Sequence, residues 1–152
     1  MSTTTTMAEL PALTGTELGQ SSWVEVTQEQ VNLFAEATGD HQWIHVDVER
    51  ANRESPFGGP IAHGYLTLSL VPRLAATLVK VSKRRHGLNY GSNKVRFTNT
   101  VPAGARIRLR QRLANVERVP GNGFRVTSEM TVEIEGQERP ALVAELISVQ
   151  YA

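Results

Sequence analysis

The sequence predicts an α+β domain in which an antiparallel sheet wraps around one nearly all-apolar helix. Residues 64–81 are apolar on most sides of a helical wheel, which is typical of a helix surrounded by protein. From residue 94 onwards, polar and apolar residues alternate with the period of a strand. The turn signals between these alternating segments are short, so we expect neighbouring strands to run antiparallel.

The first half of the chain predicts short helices. Residues 1–12 are polar and low in complexity, and we expect a disordered tail there, followed by a single domain over residues 13–152. Thr27 opens a capping-box pattern and Gly39 provides a stop, so the spacing predicts a helix over residues 28–38.

The central helix is expected to begin at His63-Gly64 and to bend at Pro72. Before it, Asp47 should cap one or two helical turns, and residues 55–60 contain too many glycines and prolines for regular structure. Leucines recur at every fourth position along the apolar stretch. The strands predicted after it are Lys94–Phe97, Ala105–Arg110, Phe124–Ile134 and Ala141–Tyr151.

The composition excludes several classes of function. Lys+Arg is 16 and Asp+Glu is 15, so the net charge of +1 provides no electrostatic reason to expect nucleic acid as a partner. The absence of cysteine excludes disulfides, cysteine zinc sites, iron–sulfur clusters and a thiol nucleophile. The apolar stretch carries Arg73 and Lys80, so we expect no membrane insertion and a cytoplasmic location.

The densest cluster of reactive side chains lies between Gly39 and His63. Asp40 and His45 are five residues apart, which places them about 140° apart on a helix and on opposite faces of a strand. They converge only if the chain turns, and the stop at Gly39 predicts a turn. A carboxylate and an imidazole that meet there could share one water molecule. The alternative is that Asp40 caps the next turn and His45 is a half-buried surface residue.

A metal site is a weaker alternative. His41 and His45 are four apart, as in a zinc-protease helix, but Gln42 stands where the general base is required. His63 is available as a third ligand. We expect no metal.

The start of the central helix is a candidate anion site. The first amides of a helix have no acceptor within it, and Gly64 leaves room for a ligand oxygen. The alternatives are that Gly64 serves a tight turn and that His63 holds the loop. Basic residues at Lys83, Arg84, Arg85 and Lys94 are candidates for binding the phosphates of a charged cofactor.

Two segments resemble landmarks of a known family. Residues 34–45, followed by Ala51, resemble the signature of the (R)-specific enoyl-CoA hydratases of the MaoC-like dehydratase family. Residues 60–67 resemble the start of that family's central helix, and residues 93–104 resemble its sheet region. Gln42-Trp43 stands where many hydratases have Asn-Pro, which is closer to the NodN-like branch.

The resemblance implies a hotdog fold, a homodimer and hydration of trans-2-enoyl-CoA to (R)-3-hydroxyacyl-CoA, in either direction, in fatty acid metabolism. It assigns Asp40 and His45 as the catalytic pair and the Gly64 amide as an oxyanion donor. We expect CoA to enter only as part of the substrate, with no separate cofactor. The other residues predicted to contact substrate are His63, Phe57, Tyr65 and Asn93, and those predicted to contact the CoA phosphates are Lys83, Arg84, Arg85 and Lys94. A hotdog thioesterase and a non-catalytic acyl-binding protein remain alternatives.

Overall fold

The computed structural model describes residues 2–152. A 3-10 helix over Met7–Leu13 precedes the other helices, which are α1 (Gln28–Thr38), α2 (Trp43–Val46), α3 (Val48–Glu54) and α4 (Gly64–Ala75). The strands are β1 (Thr3–Thr6), β2 (Glu17–Gln20), β3 (Val24–Glu25), β4 (Val79–Ser82), β5 (His86–Phe97), β6 (Arg106–Val119), β7 (Gly123–Ile134) and β8 (Leu142–Tyr151).

One large sheet dominates the structure, with the strand order β2-β6-β7-β8-β5 and with β3 paired to β6. All of its pairs are antiparallel, as the short turn signals predict. The β6–β7 hairpin aligns Ile107 with Ile134 near its open end and Val119 with Gly123 at its turn. β5 lies at one edge of this sheet.

The core lies between α4 and the sheet. Leu66, Val71 and Leu74 of α4 are buried against strand residues that include Ile107 and Val132. Each buried aliphatic side chain stabilises the fold by about 1.5–3 kcal/mol relative to exposure. The predicted α+β arrangement, with a sheet around one apolar helix, is confirmed.

Local caps set the helix boundaries near the site. The Thr27 side chain accepts a hydrogen bond from the Gln30 amide at 3.1 Å, and Gly39 ends α1 in the left-handed conformation with φ 78°. The predicted helix over residues 28–38 is confirmed. Asp47 caps α3 by accepting from the Arg50 amide at 3.1 Å, again as predicted.

The central helix is shorter than the sequence predicts. α4 ends at Ala75, and residues 79–82 form β4 instead of a further helical turn. Beyond Pro72 the chain tightens, since the Thr77 amide donates to the Leu74 carbonyl at 3.1 Å. Leu78 is nevertheless buried, which explains why the fourfold leucine repeat continues past the end of the helix. No helix within residues 2–152 is long and apolar enough to cross a membrane.

The expected disordered tail over residues 1–12 is wrong for the part that the structure describes. β1 pairs in parallel with β4, and Thr6 forms a capping box with Glu9. Met7 and Leu10 are buried in a second apolar cluster. Four consecutive threonines are β-branched and suit a strand, a tendency hidden by their polar composition. Residue 1 lies outside the described residues.

Candidate active site

Three titratable side chains meet where α1 ends and α4 begins. Gly39 reverses the chain, the Asp40 carboxylate accepts a hydrogen bond from the Gln42 amide at 3.4 Å, and the single turn of α2 then carries His45 inward. His63 is the N-cap residue, immediately before the first residue of α4. One side-chain nitrogen or oxygen atom of each of Asp40, His45 and His63 lies within 4.8 Å of the others. The turn thus brings the predicted pair together.

His45 is buried, and its tautomer follows from its partner. Its Nδ1 lies 2.7 Å from the Ile61 carbonyl oxygen. Because a carbonyl only accepts, Nδ1 carries the hydrogen in the neutral ring, and Nε2 keeps an unprotonated lone pair. The alternative of a half-buried surface histidine is therefore wrong, since the side chain is only 6% exposed.

Burial lowers the pKa of His45 from its ordinary value of 6.5. The Ile61 carbonyl acts in the opposite direction, the neighbouring His63 lowers the pKa further, and the Asp40 carboxylate raises it. Desolvation is the largest of these effects, because a charged imidazolium loses water there. His45 is therefore neutral at pH 7 and able to accept a proton through Nε2.

His63 holds the other two residues in position. Its Nε2 donates to the backbone carbonyl of Asp40 at 3.0 Å, and its ring stacks on that of His45 with centroids 3.9 Å apart. Phe34 covers the ring at 4.8 Å between centroids. The sequence places His63 among the substrate contacts; its ring is buried, and neither His63 nor Asp40 belongs to the lining of the pocket beside the cluster. The Nδ1 of His63 has no partner among residues 2–152.

The geometry does not suit a metal ion. An imidazole nitrogen binds a metal along a lone pair in the plane of its ring, and the planes of His45 and His63 are stacked at only 24°. Two such rings cannot direct their lone pairs to one ion. His41, the other member of the zinc-like pattern, lies at the surface with its Nε2 3.6 Å from the Glu36 carboxylate.

A pocket of about 570 Å³ opens beside this cluster. The Gly64 amide heads α4 there, the His63 side chain does not cap it, and no acceptor for it occurs within the described residues. A Cβ at Gly64 would lie 3.1 Å from the Phe97 ring, a tight contact that a larger residue would relieve only by shifting that ring. The residues that line the pocket are His45, Phe57, Ile61, Ala62, Gly64, Thr67, Phe97, Thr98, Asn99, Thr100, Val101, Arg139 and Ala141.

The three remaining predicted substrate contacts have different positions. Phe57 lines the pocket and is 44% exposed. Tyr65 is 68% exposed and packs edge-on against Phe97 with centroids 5.7 Å apart, outside the lining. Asn93 lies on β5 and donates to the Glu145 carboxylate at 2.6 Å, also outside the lining.

Most of the predicted phosphate contacts lie far from the pocket of their own chain. Lys83, Arg84 and Arg85 precede β5, whose opposite end, Phe97, packs beside Gly64. A strand of this length spans roughly 35 Å. Lys94 is nearer, at three residues from the pocket end of β5, and it faces Glu145 across the strand pair.

Sequence reasoning missed five polar residues of the pocket, Thr67, Thr98, Asn99, Thr100 and Arg139. Asn99 is fixed by donating to the Gln137 side chain at 2.6 Å. Arg139 forms no ion pair with any residue from 2 to 152. It lies in a connection between strands that carries no motif, so only the three-dimensional fold shows that its charge borders the pocket.

Known proteins match this chain over most of its length. Residues 9–135 match the model of the MaoC-like domain. The chain is 51% identical to 3-hydroxyacyl-thioester dehydratase Z of Mycobacterium tuberculosis over 97% of each chain, and 46% identical to nodulation protein N of Rhizobium leguminosarum over 94% of this chain and 89% of that protein. The solved R-hydratase PhaJ1 of Pseudomonas aeruginosa superposes with a TM-score of 0.69 at 23% identity, covering 89% of this chain and 79% of that one. This likeness confirms the hotdog fold.

Proposed function

Because the chain belongs to the MaoC-like domain family, we propose that it is a hydro-lyase that interconverts 2-enoyl and 3-hydroxyacyl thioesters. The observation that carries this proposal is the buried His45 ring, one nitrogen of which lies within 4.8 Å of an Asp40 carboxylate oxygen, beside a pocket that the Gly64 amide borders. The Ile61 carbonyl takes up Nδ1, which leaves Nε2 to accept a proton. The relatives, a 3-hydroxyacyl-thioester dehydratase and an R-hydratase, support the same reaction by their names.

The chemistry follows from the polarity of the enoyl thioester. Conjugation makes C3 electrophilic, but water attacks it only if a base removes a proton. His45 Nε2 takes that proton as the water oxygen bonds to C3, while the Asp40 carboxylate accepts a hydrogen bond from the same water. The electron pair moves through C2 to the thioester oxygen, and a proton then returns to C2. One water is added, and the reverse sequence is dehydration.

The Gly64 amide stabilises the charge that develops on the thioester oxygen. It is the first amide of α4, at the positive end of the helix dipole, and it has no acceptor of its own among residues 2–152. A well-aimed donor of this kind typically contributes about 3–4 kcal/mol to transition-state stabilisation. Phe97 and Phe57 are the phenylalanine side chains in the lining of the same pocket.

We further propose CoA as the carrier and the (R) isomer as the product. CoA carries phosphates, and Arg139 offers an unpaired guanidinium at the pocket. His45 lines the pocket, and the Asp40 carboxylate lies within 4.8 Å of one of its ring nitrogens, so we expect the water held by this pair to add to one face of a bound double bond and to give a single isomer. The resemblance of residues 34–45 to the (R)-specific hydratases supports the (R) isomer. This reaction needs no metal or redox cofactor, and CoA enters only as part of the substrate.

The proposal is tested by adding crotonyl-CoA and following the loss of the enoyl thioester's ultraviolet absorbance, with chiral analysis of the 3-hydroxybutyryl product. We expect the absorbance to fall, the (R) isomer to form and no free thiol to appear. Release of free thiol would instead indicate a thioesterase. Binding without turnover would indicate an acyl-binding protein.

A second copy of the chain is the proposed partner of β5. This strand lies at the sheet edge and is exposed along nearly its whole length. It presents Leu88 and Tyr90 to solvent at 57% and 59% exposure. An unpaired edge strand with exposed hydrophobic side chains is a template for pairing. Sedimentation velocity should show a dimer that Leu88→Glu dissociates, whereas a monomeric wild-type protein would contradict this proposal.

A further inference from the structure

The segment that carries His45, α2, is a single helical turn of four residues. Its N-cap residue, Gln42, forms no side-chain capping hydrogen bond. A turn of this length does not hold itself in place, because helix nucleation is unfavourable and the last carbonyls of a helix have no donor within it. The direction of the His45 ring therefore depends on contacts from outside α2.

Hydrogen bonds from Ile61 and from Gln28 hold α2 in place. The Ile61 amide donates to the Ile44 carbonyl at 3.0 Å, and the Ile61 carbonyl accepts from His45 Nδ1. The backbone carbonyl of His45 accepts from the side chain of Gln28, whose Nε2 lies 2.8 Å away. Gln28 is the first residue of α1, seventeen positions before His45, so this bond joins the two helices.

The donor that Gln28 offers has a fixed direction. Because the His45 carbonyl only accepts, the nitrogen of the Gln28 amide must face it. The same Nε2 donates to Asn32 Oδ1 at 2.9 Å, one turn further along α1. The backbone of Gln28 is also fixed, since Thr27 caps the helix immediately before it. A donor held in this way defines where the His45 carbonyl lies.

Helix α1 connects the two members of the catalytic pair. Its C-terminal end is followed by Gly39, which leads directly into Asp40, and its N-terminal end carries Gln28, which holds the backbone of His45. A helix is a rigid element, and a site built on it keeps its geometry. α1 therefore contributes to the separation of the Asp40 carboxylate from the His45 ring, which is within 4.8 Å.

We propose that Gln28 is a positioning residue, which orients α2 so that His45 Nε2 and the Asp40 carboxylate face the same water molecule. Gln28 lies outside the pocket lining and acts through the backbone of His45. This role rests on the proposed hydratase function. A small displacement of a reacting group is enough to lower the rate, since a shift of about 1 Å can cost up to a hundredfold.

The first test is Gln28→Met, which keeps the length of the side chain and removes the donor. We expect kcat for crotonyl-CoA hydration to fall about tenfold with KM little changed, because the pocket keeps its lining while one hydrogen bond to α2 is lost. Gln30→Met is the matched control. Gln30 lies on the same helix and, like Gln28, buries an amide oxygen that has no partner among residues 2–152, but its side chain forms no hydrogen bond to α2 in that range. Equal losses in the two variants, or no loss in Gln28→Met, would overturn the proposal.

A second measurement needs no turnover. The pKa of His45 is obtained by NMR titration of the substrate-free protein, with its signal identified by the loss of that signal in His45→Gln. Burial lowers this pKa, and Asp40 and His63 are the titratable groups that act on it. Because a loosened α2 admits water, the pKa of His45 should rise toward 6.5 in Gln28→Met and stay at the wild-type value in Gln30→Met. An unchanged pKa in Gln28→Met would overturn the proposal, whereas a wild-type protein that does not hydrate crotonyl-CoA would overturn only the proposed function.

Asn32→Ala keeps the proposal falsifiable if Gln28→Met fails to fold. Asn32 is exposed, and its substitution removes only the anchor of the Gln28 amide. We expect kcat to fall by about twofold to threefold and the pKa of His45 to rise by less than in Gln28→Met, since the bond to the His45 carbonyl is weakened but not removed. With Gln28→Met unfolded, a wild-type kcat and a wild-type pKa of His45 in Asn32→Ala would overturn the proposal.

Discussion

The two ends of α4 use buried polar groups in opposite ways. At its N-terminal end, His45 and His63 each donate a hydrogen bond from one ring nitrogen to a backbone carbonyl. These bonds fix both tautomers and leave Nε2 of His45 unprotonated. Near its C-terminal end, the Gln111 side chain borders a cavity of about 530 Å³ and donates to Ser128, while its amide oxygen has no partner among residues 2–152. The first arrangement is preorganised for proton transfer, and the second is suited to holding a ligand.

The largest effect should come from the catalytic pair. His45→Gln and Asp40→Asn should each lower kcat for crotonyl-CoA hydration by about a hundredfold to ten-thousandfold, because the proton acceptor or its partner is removed. His41→Gln is the matched control, since this histidine lies at the surface beside Glu36, and its kcat should match the wild type. Equal losses in His41→Gln and His45→Gln would remove the basis for assigning His45.

A smaller effect should follow from His63→Phe. Phenylalanine keeps a ring stacked on His45 but cannot donate to the Asp40 carbonyl, so we expect kcat to fall about tenfold with little change in KM. The loss of the neighbouring imidazole should also raise the pKa of His45 and move the acid limb of the pH profile upward. A change in stability with an unchanged pH profile would indicate a purely structural role.

The two groups of basic residues should differ in their effect on KM. Arg139→Ala should raise KM for enoyl-CoA several-fold, and the rise should shrink at high salt, because the lost contact is ionic. Arg85→Ala should leave KM unchanged, since this residue precedes the far end of β5. A higher KM in Arg85→Ala instead would support the original prediction that residues 83–85 bind the CoA phosphates.

The smallest effect should come from a substitution in the N-terminal segment, residues 3–13. Thr6→Ala removes the capping box with Glu9 and should lower the free energy of unfolding by about 1 kcal/mol. Thermal denaturation should show a Tm about 2–4 °C lower, with kcat unchanged. An unchanged Tm would mean that residues 3–13 contribute little to the folded state.

The sequence predicted the regular parts of the fold well and the N-terminal segment poorly. Helix α1 follows from a cap, an apolar stripe and a glycine stop, all of which act locally. β1 and β4 pair across more than seventy residues, and long-range pairing leaves no local pattern. For the same reason, the apolar repeat that ends at Leu78 did not reveal that the helix stops before this residue, since Leu78 is buried just ahead of a strand.

In the candidate site, too, residues joined by local structure were predicted, and residues joined by long-range contacts were not. Asp40 and His45 were accessible to sequence reasoning because one turn brings them together and because their motif resembles a family signature. The role of His63 as a positioning residue depends on a stacking contact across eighteen residues, which no spacing rule reveals. Arg139 lies beside the pocket because the sheet folds the connection between β7 and β8 against it, so only the structure identifies this residue.

The central claim is that neutral His45 accepts a proton through Nε2. The most direct measurement is kcat/KM for enoyl-CoA hydration between about pH 5 and 8, the range in which histidine titrates. Because burial lowers the pKa of His45 from its ordinary value of 6.5, the fall in activity on the acid side should be centred below that value and should reflect the binding of one proton. A rate that rises as the pH falls through 6.5, or an acid limb centred above that value, would contradict the account.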